Sequence, residues 1–390
     1  MTHSIYILTA LILFLGYIFG RLLRRIGLTE VLGYLFAGII VGPILKFSIP
    51  EYFGPITTSV TLALVGYIVG LTFSFEFLKV MGKKIITILI VEVAITSIVV
   101  MTFVYLLTKN LPLSIILGSL APATAPAGTI AVLRDLKARG TLTNVAIAIV
   151  GLDDAAGIII YAIGSAWTKI ILGGKTSVAS SFIQPAWEIF GAIALGLGIG
   201  LAVSYFTKKV NISPERILVI DLFVALFGWG FADLLGVSTI LTCMIIGTTV
   251  INFSSHVGIH SRETIDKIMT PLFILFFAVI GTEINFSRLS SIWAIVIMYC
   301  IGRSVGKVIG CSLGGILSRS ESKITKYLGI ALLNQAGVAV GLAFLAAQEL
   351  SKYGLGSTII TLMATTTALF QILSPLGTQY AVKKSGEGKI

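Results

Sequence analysis

Ala121-Pro122-Ala123-Thr124-Ala125-Pro126-Ala127 interrupts the apolar run 113–133 near its middle. Two prolines four residues apart lack the N–H groups that a helix would use there, and they push carbonyls out of the hydrogen-bond ladder. Inside hydrocarbon such a break survives only where it is buried in protein or lines a wet cavity. The stretch therefore predicts a membrane helix broken at mid-span around a polar site.

The rest of the chain supports a membrane setting. Of its 390 residues 56% are apolar and 12% charged, with a mean hydropathy of +1.01. Soluble domains carry about 25% charged residues. The 41 glycines suit close helix packing in a bilayer. Apolar stretches of about 20 residues fall near 5–20, 31–45, 58–75, 85–107, 113–133, 142–168, 186–207, 217–235, 237–252, 270–286, 290–317, 324–348 and 357–380. The expected fold is an all-α polytopic membrane protein of about thirteen spans, of which spans 2 and 9 are the shortest. Connections are short, so residues 1–390 are expected to form a single transmembrane transporter domain with no soluble domain. Span 1 lacks a basic leader and is followed by Arg21, Arg24 and Arg25, which argues for a retained helix and not a cleaved signal.

Basic residues orient the chain. With alternate loops assigned inside, the outside set is Lys46, Lys109, Lys169, Lys175, Arg288 and Lys352. Arg303 and Lys307 lie within a span, and every other Lys and Arg falls inside. This asymmetry predicts an external N-terminus and a cytoplasmic C-terminus. The net charge of +11 then follows from orientation and calls for no nucleic-acid partner.

Thirteen spans admit two six-helix repeats of inverted orientation, near 1–170 and 215–385, an architecture common in secondary transporters. The broken span 5 then corresponds to span 12, which carries Asn334-Gln335-Ala336-Gly337 at mid-span. Pro122, Pro126, Asn334, Gln335 and Gly337 are the expected positions of two crossing discontinuous helices.

Charges within the membrane are costly, about 2.5–3.5 kcal/mol each on insertion scales, and mark function. Span 6 carries Gly151-Leu152-Asp153-Asp154-Ala155-Ala156-Gly157. Adjacent helix residues point about 100° apart, so one carboxylate can line a cavity while the other meets a neighbouring helix. Like charges this close disfavour double ionisation, which suits a group that holds either a proton or a hard cation. Span 11 carries Arg303 and Lys307 on one face. At about 1.5 Å of rise per residue, Asp154, Lys307, Thr124 and Asn334 share a level roughly 14–18 Å from the inner end. Arg303 comes out near 21 Å and Glu92 near 10 Å by the same rise, with Glu92 a candidate counter-ion for Lys307 or Arg303. Asp221, Asp233, Glu188 and Glu283 lie near span ends, where solvated or capping roles are expected. Cys243, Cys300 and Cys311 fall within spans and read as packing residues. His256 and His260 are placed in an inner loop, and 173–184 in an external one. No nucleophile–base constellation or metal-ligand cluster is present, so an enzyme is not expected and no cofactor is implied.

These residues carry a resemblance that spans nearly the whole chain. Glu30-Val31-Leu32-Gly33-Tyr34-Leu35-Phe36-Ala37-Gly38-Ile39-Ile40-Val41-Gly42-Pro43, Gly70-Leu71-Thr72-Phe73-Ser74 and Pro271-Leu272-Phe273 through Gly281 add to the broken span 5, the aspartate pair and Gly306-Lys307. The chain resembles the second branch of the monovalent cation:proton antiporter superfamily, sodium/proton antiporters with paired aspartates. The resemblance implies that Asp154 is the principal ion-binding carboxylate, that Asp153 pairs with Lys307 in the absence of sodium, and that Thr124 helps coordinate the ion. It also implies crossing breaks, a core domain moving against a dimerisation domain built from the first helices of each repeat, a homodimer, and electrogenic exchange. Many relatives carry a charge where this chain has Asn334-Gln335, and no nucleotide-binding domain or Gly-rich phosphate loop is present.

The expected function is secondary active sodium/proton antiport across the cell inner membrane by alternating access. Na+, with Li+ or K+ as alternatives, competes with H+ for Asp154, Asp153, Thr124 and freed backbone carbonyls, while Lys307 releases its proton as sodium claims Asp153. A potassium/proton antiporter, a sodium-coupled organic-anion symporter and a channel-like or signalling protein are the rival readings.

Overall fold

The computed structural model describes residues 5–25, 30–45, 47, 50, 52–125, 129–130, 132–133, 136–173, 180–209, 214–282, 286–335 and 337–388. Among these residues all regular structure is helical. In chain order the α-helices are α1 (Ile5–Arg25), α2 (Glu30–Ile39), α3 (Phe53–Leu71), α4 (Phe75–Thr108), α5 (Leu111–Leu120), α6 (Thr141–Gly173), α7 (Ser180–Lys209), α8 (Pro214–Leu235), α9 (Thr239–Phe253), α10 (Ser255–Thr282), α11 (Phe286–Leu317), α12 (Ser322–Ala331), α13 (Gly337–Glu349) and α14 (Gly356–Lys384). Pro126, Glu283 and residues 174–179 of the expected external loop lie outside the described residues.

Nine described helices are long and apolar enough to cross a membrane. Shorter apolar helices at Glu30–Ile44, Leu111–Leu120, Thr239–Phe253 and Val338–Glu349 fall in spans 2, 5, 9 and 12. Two of these have a cause that is visible in the chain. Pro43 removes a donor, and α2 continues as a π-turn over Ile40–Ile44, where Leu45 N reaches Ile40 O at 2.8 Å. Span 12 is two half-helices, α12 and α13.

Two extensions depart from the sequence reading, because polar amphipathic turns escape a search for apolar runs. The stretch holding His256 and His260 is the start of α10 and not a loop, and their rings lie 4.5 Å apart. Residues 75–81 are helical before Gly82, whose φ of 66° and ψ of 157° break α4. Glycine takes this left-handed φ without the penalty a Cβ imposes.

Contacts divide the chain into two compact units, one made of Met1–Ile49, Met81–Tyr161 and Phe277–Ile390, the other of Pro50–Val80 and Ala162–Phe276. The first unit holds α1 and α2, which the resemblance had grouped with the opening helices of the second repeat. Small residues explain their place. A Cβ on Gly33 would lie 2.3 Å from Gly20 N, and one on Gly38 would lie 2.0 Å from Ala278 O. The decisive packing in this unit is between α4 and α11. Gly302, Gly306, Gly310 and Gly314 recur every four residues and form one stripe on α11. Added Cβ atoms on Gly306, Gly310 and Gly314 would each lie 2.8 Å from a Cα of α4, those of Thr96, Glu92 and Ile88.

In the second unit, α3 packs on α9, with a Cβ on Gly70 falling 1.9 Å from Met244 O. Asn252 ties the α3–α4 turn to α9, accepting from Phe75 N at 2.6 Å and donating to Phe73 O at 2.7 Å. Large apolar side chains of α7 and α8 stand exposed, among them Phe190, Phe206, Val219 and Phe223. A soluble protein rarely shows so much apolar surface, whereas lipid covers it.

Candidate functional site

The site begins with the break that ends α5. Asn110 starts that helix by accepting from Leu113 N at 3.0 Å, with proline in the first turn. Pro122 cannot donate to Gly118 O, and proline at 126 cannot donate to Pro122 O, so the chain leaves the helix after Leu120. α12 ends at Ala331 in a matching way, and the two extended segments meet. Ala125 N donates to Asn334 O at 3.2 Å, and Asn334 Nδ2 donates to Ala125 O at 2.9 Å. Ser374 Oγ holds Asn334 Oδ1 at 3.0 Å, Gln335 Nε2 donates to Tyr299 OH at 2.9 Å, and Gln371 Nε2 donates to Gln335 O at 2.9 Å. The neutral amides at 334 and 335 thus serve the crossing itself.

Arg303 takes the carbonyls that the breaks release. Its Nε donates to Ala121 O at 2.8 Å and one terminal nitrogen to Leu333 O at 2.6 Å. The other terminal nitrogen donates to Ala123 O at 3.0 Å and Asn334 O at 3.2 Å. The guanidinium also stacks over the Phe370 ring, 4.6 Å from its centroid. The side chain is fully buried, and among the described residues it has no carboxylate partner. This corrects its expected role as a salt-bridge partner. Two helix C-termini face it, each carrying about half a negative charge, which together balance one guanidinium.

Lys307 lies one turn further along α11, also fully buried. Its ammonium donates to Pro122 O, to Thr124 Oγ1 at 2.7 Å and to Asp153 Oδ2 at 2.8 Å. It also stands 2.9 Å from Glu92 Oε1. Thr124 Oγ1 donates in turn to Asp153 Oδ2, and Thr96 Oγ1 donates to Glu92 Oε1 at 2.8 Å. One ammonium therefore joins two carboxylates, and each carboxylate keeps one buried oxygen, Asp153 Oδ1 and Glu92 Oε2, without a hydrogen-bond partner. Asp154 points elsewhere on α6. It is partly exposed and has no hydrogen-bond or ion-pair partner among the described residues.

The helix that carries the pair is anchored at its start by the tail beyond α14. Glu387 accepts from Leu142 N at 2.9 Å, Thr143 N at 2.8 Å and Thr143 Oγ1 at 2.9 Å, and it pairs with Lys323 at 2.9 Å. Burial pushes the Glu387 carboxyl up, but Lys323 and the α6 N–H groups outweigh it and hold it below the usual carboxylate range.

Of the expected site residues, the structure gathers Thr124, Asp153, Lys307, Glu92, Arg303, Pro122, Asn334 and Gln335 into one buried network, while Gly337 begins α13. The sequence reading missed the stripe on α11 that admits Glu92, although glycine every fourth residue was a visible signal. Asp221 is another departure. It was expected to be solvated or capping, yet it is fully buried and accepts from Tyr67 OH at 3.0 Å and Ser261 Oγ at 2.7 Å. Asp233 is exposed and Glu188 is buried. The cysteines are free thiols.

Comparison with known proteins agrees with this architecture. The AmhT subunit of an ammonium/H(+) antiporter from Alkalihalophilus pseudofirmus is 23% identical over 390 residues, 96% of this chain and 95% of that protein. Sodium/hydrogen exchanger 8 of Arabidopsis thaliana is 26% identical over 155 residues, 38% of this chain and 20% of that protein. The fold matches the sodium proton antiporter MjNhaP1 from Methanocaldococcus jannaschii at pH 8 with a TM-score of 0.78 and 20% identity, covering 96% of this chain and 97% of that one. The family described as sodium/hydrogen exchanger, transmembrane, matches residues 10–379. The chain is a multi-pass membrane protein and belongs to the transmembrane sodium/hydrogen exchanger family.

Proposed function

We propose that this chain is a secondary active antiporter in which a monovalent cation and protons compete, by alternating access, for the Asp153–Asp154 pair. The observation that carries this reading is Asp153 Oδ1, a buried carboxylate oxygen with no donor, on the residue that precedes Asp154 in the chain. An unsatisfied buried acceptor is unfavourable by about 1–3 kcal/mol, more when charged, and a bound cation or proton removes that deficit. Sodium is the proposed ion, a hard cation suited to oxygen ligands, held by Asp154, Asp153 and the Thr124 hydroxyl. The freed backbone carbonyls, the other expected ligands, already accept from Arg303 and Lys307, so the side-chain oxygens are proposed as the main ligands.

Ammonium is the second reading, favoured by the likeness to AmhT. It carries the same charge and would donate N–H bonds to the same carboxylates. The proposal extends to an external N-terminus, a cytoplasmic C-terminus, an inner-membrane location and a homodimer. Reporter fusions at either end and cross-linking in membranes test these points, and a periplasmic C-terminal reporter would refute the orientation.

Proteoliposomes with a pH-sensitive dye inside test the core of the proposal, with Na+, Li+, K+ and NH4+ supplied in turn. Wild-type protein should move protons against sodium, and Asp154→Asn should abolish this exchange. Undiminished exchange by Asp154→Asn sinks the reading, and proton flux driven by ammonium but not by sodium replaces the ion.

A further inference from the structure

We infer that Glu92 is a positioning residue that keeps Lys307 protonated when a cation takes Asp153, so that one proton leaves for each cation bound. The inference rests on the antiport reading of the Asp153–Asp154 pair.

An ammonium has three N–H donors. Four acceptors surround Lys307 Nζ, namely Pro122 O, Thr124 Oγ1, Asp153 Oδ2 and Glu92 Oε1. Removing Asp153 from this set still leaves one acceptor for every N–H. Charge makes the identity of the fourth acceptor decisive. Were Asp153 the single counter-ion, a cation binding there would leave a buried ammonium without a partner, a strongly unfavourable state, and Lys307 would have to give up its proton. With Glu92 present the ion pair persists. Glu92 Oε2 is itself buried without a partner, an open acceptor on the same carboxylate for the N–H that leaves Asp153. The position is built in, since Gly310 brings α11 onto the backbone of Glu92 and Thr96 Oγ1 holds Oε1.

The charges balance as follows. In the proton-loaded form Asp154 is a neutral acid, Asp153 and Glu92 are carboxylates and Lys307 is an ammonium, which sums to one negative charge. On cation binding the Asp154 proton passes to water, the cation enters between Asp153 and Asp154, and Lys307 keeps all three protons on Glu92, Thr124 and Pro122. The sum is again one negative charge, so both loaded forms carry the same charge across the membrane. Without Glu92 the lysine proton also leaves, and two protons exchange for one cation. The electrogenic exchange implied by the resemblance to paired-aspartate antiporters is thereby revised.

The test counts protons. Purified full-length protein in weakly buffered detergent receives NaCl, with released protons read by a pH dye and bound sodium by radioisotope. Wild type should release about one proton per sodium bound, Glu92→Gln about two, and Glu92→Asp, which keeps the charge, about one. In proteoliposomes, exchange by wild type should be indifferent to an imposed membrane potential and exchange by Glu92→Gln should follow it. Release of two protons by wild type overturns the role of Glu92 even if no variant folds, and so does release of one by a folded Glu92→Gln. Absence of any sodium-linked release from wild type overturns the antiport reading and this role with it.

Discussion

Replacing Arg303 with alanine removes four hydrogen bonds, at 2.8, 2.6, 3.0 and 3.2 Å, from carbonyls on both sides of the crossing. A buried acceptor left without a donor is unfavourable by about 1–3 kcal/mol. Asn334 O keeps the Ala125 N–H, so three carbonyls are stranded. Water can enter the space the guanidinium leaves and satisfy part of this deficit, so the lower half of the range applies, about 3–6 kcal/mol in all. The balance of charge is lost as well, since two helix ends of about half a charge each then face one another without a cation. The total exceeds the roughly 0.5–3 kcal/mol typical of single substitutions. For a chain of this size it corresponds to a fall in Tm of about 4–7 °C. The assay is thermal unfolding followed by tryptophan fluorescence in detergent, without added transport substrate, since a bound ion would mask the loss. Arg303→Lys should recover only part of the stability, because three donors on one nitrogen cannot span the fork that the guanidinium fills. An Arg303→Ala variant that unfolds within about 2 °C of wild type and still exchanges ions would refute the idea that this residue holds the two breaks together.

Other expectations follow from the same coordinates. Gly310→Ala would place a Cβ 2.8 Å from the Glu92 Cα, and overpacking of about 1–3 kcal/mol outweighs the gain of about 1 kcal/mol in helix propensity; lowered Tm and slowed exchange are expected, and a stabilised, active variant contradicts this. Glu387→Gln should lose about 1–2 kcal/mol at neutral pH as an N-terminal cap of α6 weakens. Because the folded carboxyl titrates below its usual value, its contribution is present above the unfolded value and fades as pH falls through the folded one; thermal melts of the two proteins should converge in acid, and a constant gap counts against the cap. Asp221→Asn should be nearly neutral, since Tyr67 and Ser261 both donate to the one oxygen that asparagine retains, whereas Asp221→Leu strands both hydroxyls at about 1–3 kcal/mol each; equal melting temperatures for the two variants would refute the assignment.

Much of the site was legible because membrane chains spend few charges and few prolines. Asp153-Asp154, Lys307 and the two breaks stand out from an apolar background, and their shared depth could be estimated from helix rise alone. What escaped was reach. Helix rise gives the height of a Cα, yet the long side chain of Arg303 bridges down to carbonyls of both broken segments, and Lys307 spans the gap to Glu92. Asp221 was misread because its burial depends on Tyr67 and Ser261, 154 and 40 residues distant in sequence. The first turns of α10 and of α4 were taken as loops or ends because hydropathy registers apolar runs and passes over amphipathic ones. The division into two units crosses the expected repeats, since the glycines that seat α2 against Ala278 act through tertiary contact.

Competition at the aspartate pair is most directly tested by the pH dependence of the apparent KM for sodium in proteoliposomes, measured for wild type and Asp154→Asn. If a cation and one proton share the site, KM should rise by up to about tenfold for each unit that pH falls, with the maximal rate unchanged, and Asp154→Asn should show no saturable exchange. A KM that stays constant with pH, or a pH-dependent KM that survives in Asp154→Asn, would contradict it.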